Sequence, residues 1–232
     1  MLHSKKKTVA IIGAMDEEIN EVLSVLSDYQ KKIISNCDFY LSEFNDKQIV
    51  VLKSGVGKVL SALATTVLFE NFEIDYVINM GTAGGINRDI NVFDIIVGDI
   101  VAEGDFDLTA FGYKLSFDEP RITVKTDRTL LDIAKNINLS NVKVGNIVSN
   151  DQFISNLEQV EKILNNFNSA YAVDMEAGSI GRVCSHFGAP FIVFRGISDN
   201  VFAVDNKVEF EKYIKKASTN SANFCFMIID KL

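Results

Sequence analysis

The chain has 232 residues, 47% of them hydrophobic and 23% charged, with a formal net charge of −8 and a sequence pI near 4.9. That length supports one substantial core, read as a single domain over 1–232. The acidic balance argues against nucleic-acid binding, which needs a basic footprint, and no apolar run approaches the ~20 residues that span a bilayer.

Lys5, Lys6 and Lys7 form a basic run, read as a solvated lead-in. The first strand is expected over Thr8–Gly13. It is too short for a signal peptide and runs directly into acids, so a soluble cytoplasmic protein is expected. A helix follows over Glu17–Lys32, a strand over Gln48–Lys53 and a helix over Lys58–Asn71. Strands are expected over Asp75–Met80 and Asp94–Val101, then a helix over Arg128–Asn136 and a strand over Val142–Ser149. The remaining elements are a helix over Leu157–Asn166, a strand over Ala170–Val173, a helix over Glu176–Phe187, a strand over Pro190–Ile197 and a helix from Val208 to the C-terminus. Several strands are nearly continuous apolar runs, as in sheets covered on both faces. Alternation of strands and helices means α/β.

Asp94–Val101 and Val142–Ser149 resemble each other, each with a mid-strand glycine (Gly98, Gly145). Glycine there marks a bend or a close backbone approach, so a curved or barrel-like region is expected. The longest irregular segment, Asp105–Arg121, carries Phe106, Phe111, Tyr113 and Phe117 and is read as a cover, with a partner subunit as one use. Three cysteines without paired spacings (Cys37, Cys184, Cys225) oppose a disulfide framework or a zinc site. The two histidines, His3 and His186, supply neither a triad nor a metal set, and His186 before Gly188 is read as a helix C-terminal cap.

Four constellations could carry chemistry. Gly13-Ala14-Met15-Asp16-Glu17-Glu18 opens a helix with three acids. Helix-dipole complementarity explains Asp16 and Glu17, and one acid turned back over the sheet end would be functional. Ser54-Gly55-Val56-Gly57-Lys58 reads as a tight glycine turn, since Leu60 breaks a dinucleotide fingerprint and Leu52 and Val59 break a P-loop. Asn79-Met80-Gly81-Thr82-Ala83-Gly84-Gly85 reads as a strand ending in a glycine-rich loop. Finally, Asp174 and Glu176 stand at a strand–helix junction, and Arg195, Ser198 and Asp199 at the end of an apolar strand. Asp174 reads as an N-cap, and Glu176 could accept two hydrogen bonds from a vicinal diol. Asp199 has a turn or N-cap as its structural role. An unpaired Arg195 would be costly, so it is expected to meet Glu176, Glu18 or a bound anion.

Seven segments in order carry a resemblance: Gly-Ala-Met-Asp-Glu-Glu, Ser-Gly-Val-Gly-Lys, Asn-Met-Gly-Thr-Ala-Gly-Gly, Thr-Ala-Phe-Gly-Tyr, Ser-Asn-Asp-Gln-Phe-Ile, Val-Asp-Met-Glu-Ala and Arg-Gly-Ile-Ser-Asp. Together they resemble the methylthioadenosine/S-adenosylhomocysteine nucleosidases of the purine nucleoside phosphorylase and nucleosidase superfamily. The resemblance runs from Ile11 to about Tyr213. It implies hydrolysis of an N-glycosidic bond without cofactor or metal, giving adenine and a thioribose. The expected fold is a three-layer α/β/α sandwich, its mixed, partly barrel-like twisted central sheet flanked by helices. The resemblance implies that Asp199 protonates adenine N7 and Glu18 activates the water nucleophile. It implies Glu176 on the ribose hydroxyls beside the Met175 backbone, Phe153 stacked on adenine and the Ile154 backbone at its edge. Thr82 and Arg195 would lie around water and ribose, with Ala83, Gly84 and Ser198 in the same binding set. Met15, Val56 and Phe210 would line the thioalkyl side. Phe111 and Tyr113 would come from the neighbouring subunit of a homodimer. The chain departs from the pattern at Met80, Thr82 and Asn150 and in a short Ser116–Pro120 segment, without removing a catalytic group.

Two carboxylates with opposite tasks are the minimum apparatus for this reaction. Adenine leaves poorly until N7 is protonated, and burial can let an acid keep a proton near neutral pH. The opposite carboxylate orients water and tolerates the positive charge of an oxocarbenium-like transition state. A phosphorylase would place an anion beside Glu18, which like-charge repulsion disfavours. Hydrolysis of another purine nucleoside, such as a futalosine-type compound or AMP, is the second reading. A noncatalytic nucleoside-binding module is the third, and it has no need for both Glu18 and Asp199.

Overall fold

The structure is a computed structural model that describes residues 6–202 and 206–232. His3 and Lys5 lie outside the described residues. Among the described residues there are ten strands: β1 (Thr8–Gly13), β2 (Gln30–Ile34), β3 (Cys37–Phe44), β4 (Lys47–Lys53), β5 (Tyr76–Gly85), β6 (Ile95–Glu103), β7 (Thr123–Lys125), β8 (Val142–Ser149), β9 (Ala170–Asp174) and β10 (Phe191–Asn200). The helices are α1 (Asp16–Val25), α2 (Lys58–Asn71), α3 (Arg128–Lys135), α4 (Leu157–Asn166), α5 (Ala177–Phe187) and α6 (Asn206–Ile229).

All ten strands join one mixed sheet. β5, β10, β6, β8 and β9 pair successively and β9 returns to β5, which closes a five-stranded ring. From β5 the sheet continues through β1, β4 and β3 to β2, the outermost strand of that wing. Side chains of the neighbouring strands crowd against β6 at its mid-strand glycine. A Cβ on Gly98 would lie 2.7 Å from Val193 and 3.0 Å from Ile147, on strands either side of β6. The mid-strand glycine therefore serves the expected curvature, in register with Gly145.

The apolar runs are continuous because both faces are covered, and their residues alternate between two cores. Val9 and Ile11 of β1 pack with α1 and α6, whereas Ala10 and Ile12 pack with α2 on the other side. β4 divides in the same way, Ile49 and Val51 against Val50 and Leu52. α1, α3 and α6 cover one face and α2 and α5 the other, which makes three layers. α4 caps a third cluster with Val148, Val173 and Phe167.

Four expectations need correction. The helix expected to reach Lys32 stops at Val25, and Gln30–Ile34 is instead β2. β3 was not anticipated; it joins β2 through Ser35 and Asn36, both at positive φ (50° and 62°), in a two-residue turn. β7 was not anticipated either, a three-residue strand beside β6. The glycine-rich stretch through Gly85 is strand rather than loop, because β10 pairs with it along its whole length. His186 lies edge-on to Phe187, and Gly188 supplies the left-handed cap of α5 at φ 68°. The three cysteines are buried free thiols.

Candidate active site

The ends of β1, β5, β9 and β10 and the turns after β4 and β8 meet around a cavity of about 170 Å³. Each polar group arrives there by a local device. Glu18 stands in the first turn of α1, and its side chain folds back to the end of β1 rather than outward like Asp16 and Glu17. Its Oε2 accepts from the backbone N–H groups of Ala14 (2.7 Å) and Met15 (3.2 Å). Its Oε1 accepts from the Thr82 N–H (2.8 Å) and hydroxyl (3.1 Å). Gly81 leaves room for it: a Cβ there would lie 2.7 Å from Oε1 and push the carboxylate aside. Burial pushes the Glu18 carboxyl above its ordinary value, opposed by the charge of Arg195 and by the backbone N–H donors.

Asp199 belongs to β10, where the register against β5 slips between Ile197 and Asp199. A bulge of this kind re-aims side chains, and it places Asp199 against Gly84 while the strand continues. Asp199 is 1% exposed, and the Ser198 hydroxyl donates to its Oδ1 at 2.8 Å. Glu18 and Asp199 thus meet β5 at Thr82 and at Gly84. Two residues of strand separate these anchors by about 7 Å.

Glu176 sits where β9 passes into α5 and accepts from the Gly57 N–H at 3.0 Å. Burial raises its pKa from 4.5 to about 7, and the neighbouring Asp174 charge adds to the rise against the pull of Arg195. Gly57 holds φ 94° and Gly55 φ 77°, the left-handed conformations expected of that turn. Thr82, Ala83 and Gly84 line the cavity floor beside Ser198. Phe153, Ile154, Met175, Met15, Val56 and Phe210 line it as well. The Phe153 and Phe210 rings meet edge to face at 5.7 Å. Ala14, Gln152, Val173 and Asp174 also line the cavity and were not singled out as binding residues. Each of the four stands inside one of the seven segments that carry the resemblance, and Asp174 was read there as an N-cap rather than as a cavity residue.

Arg195 does not line the cavity. Its guanidinium lies beneath it, donating Nε (3.0 Å) and Nη2 (2.6 Å) to Asp174 Oδ2 and Nη2 to Asn79 Oδ1 (2.8 Å). The expected partners Glu176 and Glu18 are not those it bonds. The N-cap of α5 is Glu176 rather than Asp174, but Asp174 still accepts from the first helical N–H, that of Ala177, at 3.0 Å, and takes the Ser149 hydroxyl on its other oxygen. Asn79 in turn donates to the Ile12 carbonyl at 3.0 Å. One buried polar belt therefore links β1, β5, β10, β9 and β8 beneath the cavity. Met80 points away, into the core under α1 and α6. Phe111 and Tyr113 stand outside the cavity and are exposed, Phe111 at 78%. No group of three metal-ligating side chains gathers among the described residues, and no helix among them is long and apolar enough to cross a membrane.

Comparison with known proteins places this geometry. The family model described as the phosphorylase superfamily matches residues 8–231. A 5′-methylthioadenosine/S-adenosylhomocysteine nucleosidase of Halalkalibacterium halodurans is 38% identical, over 97% of this chain and 98% of its own length. The S-adenosylhomocysteine nucleosidase of Streptococcus pyogenes, solved in complex with 5-methylthiotubericidin, superposes with a TM-score of 0.92 at 30% identity over 99% of each chain. The futalosine hydrolase of Helicobacter pylori superposes with a TM-score of 0.90 at 31% identity, over 97% of this chain and 98% of its own. At that identity and coverage, the chain belongs to the phosphorylase superfamily and, within it, to the methylthioadenosine/S-adenosylhomocysteine nucleosidases.

Proposed function

We propose that the protein hydrolyses the N-glycosidic bond of 5′-methylthioadenosine and S-adenosylhomocysteine, releasing adenine and the corresponding thioribose. The observation that carries this reading is the pair of buried carboxylates, Glu18 and Asp199, anchored two residues apart on β5 around one cavity. Asp199 donates a proton to adenine N7, so the base leaves neutral. Glu18 accepts a proton from water as the water attacks the anomeric carbon, and its charge faces the oxocarbenium-like centre. Glu176 accepts from the ribose hydroxyls, and substrate binding favours its ionised form. Phe153 stacks on adenine, with the Ile154 backbone at the base edge. Met15, Val56 and Phe210 supply an apolar seat for the thioalkyl group.

Water rather than phosphate suits this site. The N–H group that the turn before α2 could offer an anion is already given to Glu176, and Glu18 would repel phosphate at the anomeric carbon. The decisive experiment incubates the protein with methylthioadenosine, S-adenosylhomocysteine, a futalosine-type nucleoside, inosine and AMP, with and without phosphate, and assays the released base. Adenine released from the first two without phosphate is expected; release only with phosphate would overturn hydrolysis. The likeness to the futalosine hydrolase keeps a futalosine-type substrate as the second reading, and such substrates differ mainly at the 5′ end.

The working form we infer is a cytoplasmic homodimer of one-domain chains, serving methionine salvage. Val59, Leu60 and Leu63 of α2 are exposed, as are Phe106, Phe111 and Tyr113 of the segment that Asp105 ties to Lys58. A second copy packed there would cover both and bring Phe111 or Tyr113 to its neighbour's site.

A further inference from the structure

The turn before α2 gives two consecutive backbone N–H groups to two different carboxylates. Gly57 donates to Glu176 at 3.0 Å, and Lys58 donates to Asp151 Oδ1 at 2.7 Å. Asp151 in turn donates its own N–H to Asp105 Oδ2 at 2.9 Å. The other oxygen of Asp105 takes the ammonium of Lys58 in a salt bridge. The bonds close a ring through the start of α2, the β6–β7 connection and the β8–α4 connection. In sequence, Lys58 and Asp105 are 47 positions apart, and Asp105 and Asp151 are 46. Gly57 suits its φ of 94°, and a Cβ there would come within 3.2 Å of Asp151 Oδ1.

Asp151 immediately precedes Gln152, Phe153 and Ile154, which line the cavity. Ile154 is buried in the core, whereas Phe153 is 41% exposed and meets Phe210 edge to face. The polar ring ties the start of this stretch to the same turn that holds Glu176. We propose that Lys58 is a positioning residue: through Asp105 and Asp151 it holds the Gln152–Ile154 stretch in register with Glu176, so that base and ribose are gripped together. The proposal rests on the reading of Phe153 and Ile154 as the adenine wall. An ordinary exposed ion pair would contribute little to stability or binding. This one differs, since the Lys58 side chain is 17% exposed and Asp105 also orders a backbone N–H.

The test measures adenine affinity by calorimetry and methylthioadenosine kinetics for the wild-type protein, Lys58→Met, Asp105→Asn, the double variant and Lys58→Arg. Asp105→Asn keeps an oxygen for the Asp151 N–H and removes the charge and the acceptor that face Lys58. Lys58→Met should weaken adenine binding and raise KM about tenfold with kcat changed no more than about twofold, the signature of lost positioning before the chemical step. Asp105→Asn should shift both in the same direction, and the double variant should be no worse than Lys58→Met, because the two residues act as a unit. Lys58→Arg should restore most of the affinity. Adenine affinity unchanged in Lys58→Met, an additive double variant, or a fall in kcat at constant KM would each overturn the proposal. If Lys58→Met fails to fold, Asp105→Asn and Lys58→Arg decide it by the same criteria. Wild-type protein that binds no adenine would overturn the adenine reading itself, an outcome distinct from variants that bind as well as wild type.

Discussion

Asp174 and Glu18 are buried to nearly the same degree, at 7% and 3% exposure, yet they are held by opposite means. Asp174 faces the guanidinium of Arg195, and its remaining acceptor capacity is filled by Ser149 and Ala177. Glu18 is held by N–H groups and one hydroxyl, with no cation in direct contact among the described residues. A full ion pair fixes a carboxylate's charge and geometry and makes proton transfer costly. A carboxylate held by dipoles, with a pKa raised by burial, can still exchange a proton with a reacting group. The paired acid belongs to the scaffold and the unpaired one to the chemistry.

Substitutions at Glu18 and Asp199, the two carboxylates given tasks in the reaction, should break that contrast most sharply. Asp199→Asn and Glu18→Gln are each expected to lower kcat by about a thousandfold while a nonhydrolysable substrate analogue still binds. Residual activity near wild type in either variant would remove that residue from its role. At the paired acid the effect should appear in stability instead. Asp174→Ala leaves Arg195 buried without its counter-charge and should cost about 3–5 kcal/mol in urea unfolding. Replacing both partners, Asp174→Leu with Arg195→Met, should recover much of that loss.

Glu176 lies between these extremes. Its ordinary carboxylate value is 4.5 and its folded value about 7, so between those values folding takes up a proton. Stability therefore falls as pH rises from 4.5 to about 7 and stays lower above. Glu176→Gln should raise Tm by about 5 °C at pH 8 and change it little at pH 4. The same variant should bind substrate more weakly, which would separate a stability cost from a functional gain. In the wild-type enzyme, kcat/KM should fall on acidification with an apparent pKa above 4.5, because Glu18 must be ionised to accept the proton of water. An acid limb at or below 4.5 would contradict the raised carboxyl. The smallest effect is expected beyond the carboxylates. Phe153→Ala should raise KM about tenfold, the scale of one lost base–aromatic stack, with kcat nearly unchanged.

The central strands were legible because burial on both faces forces unbroken apolar runs, and the acids at their ends stood out against those runs. β2 and β3 were not. Lys31 and Lys32 lie on an outer strand, where water solvates them, and the Ser35-Asn36 turn reaches positive φ without the glycine that usually signals it. Gly81–Gly85 read as a loop because small residues carry no strand signal, while pairing with β10 makes them strand. The partner of Arg195 was hidden for a topological reason. Asp174 lies 21 positions away, and only the closed ring brings β9 and β10 to the same interior. Thirteen of the fourteen residues expected to catalyse or bind line one cavity, Arg195 being the exception.

Closure of the ring also bears on how the protein avoids its own kind. Strand rims with unpaired backbone groups template the addition of foreign strands. Five strands satisfy one another around the barrel, so the long rim exposed by the other wing is β2. There Gln30, Lys31 and Lys32 are exposed, and Lys31 is already engaged with Asp38 at 2.9 Å. An incoming strand would have to strip water from two ammonium groups and approach a like-charged copy of itself. The same lysines that disguised β2 as a helix tail thus act as a guard against polymerisation.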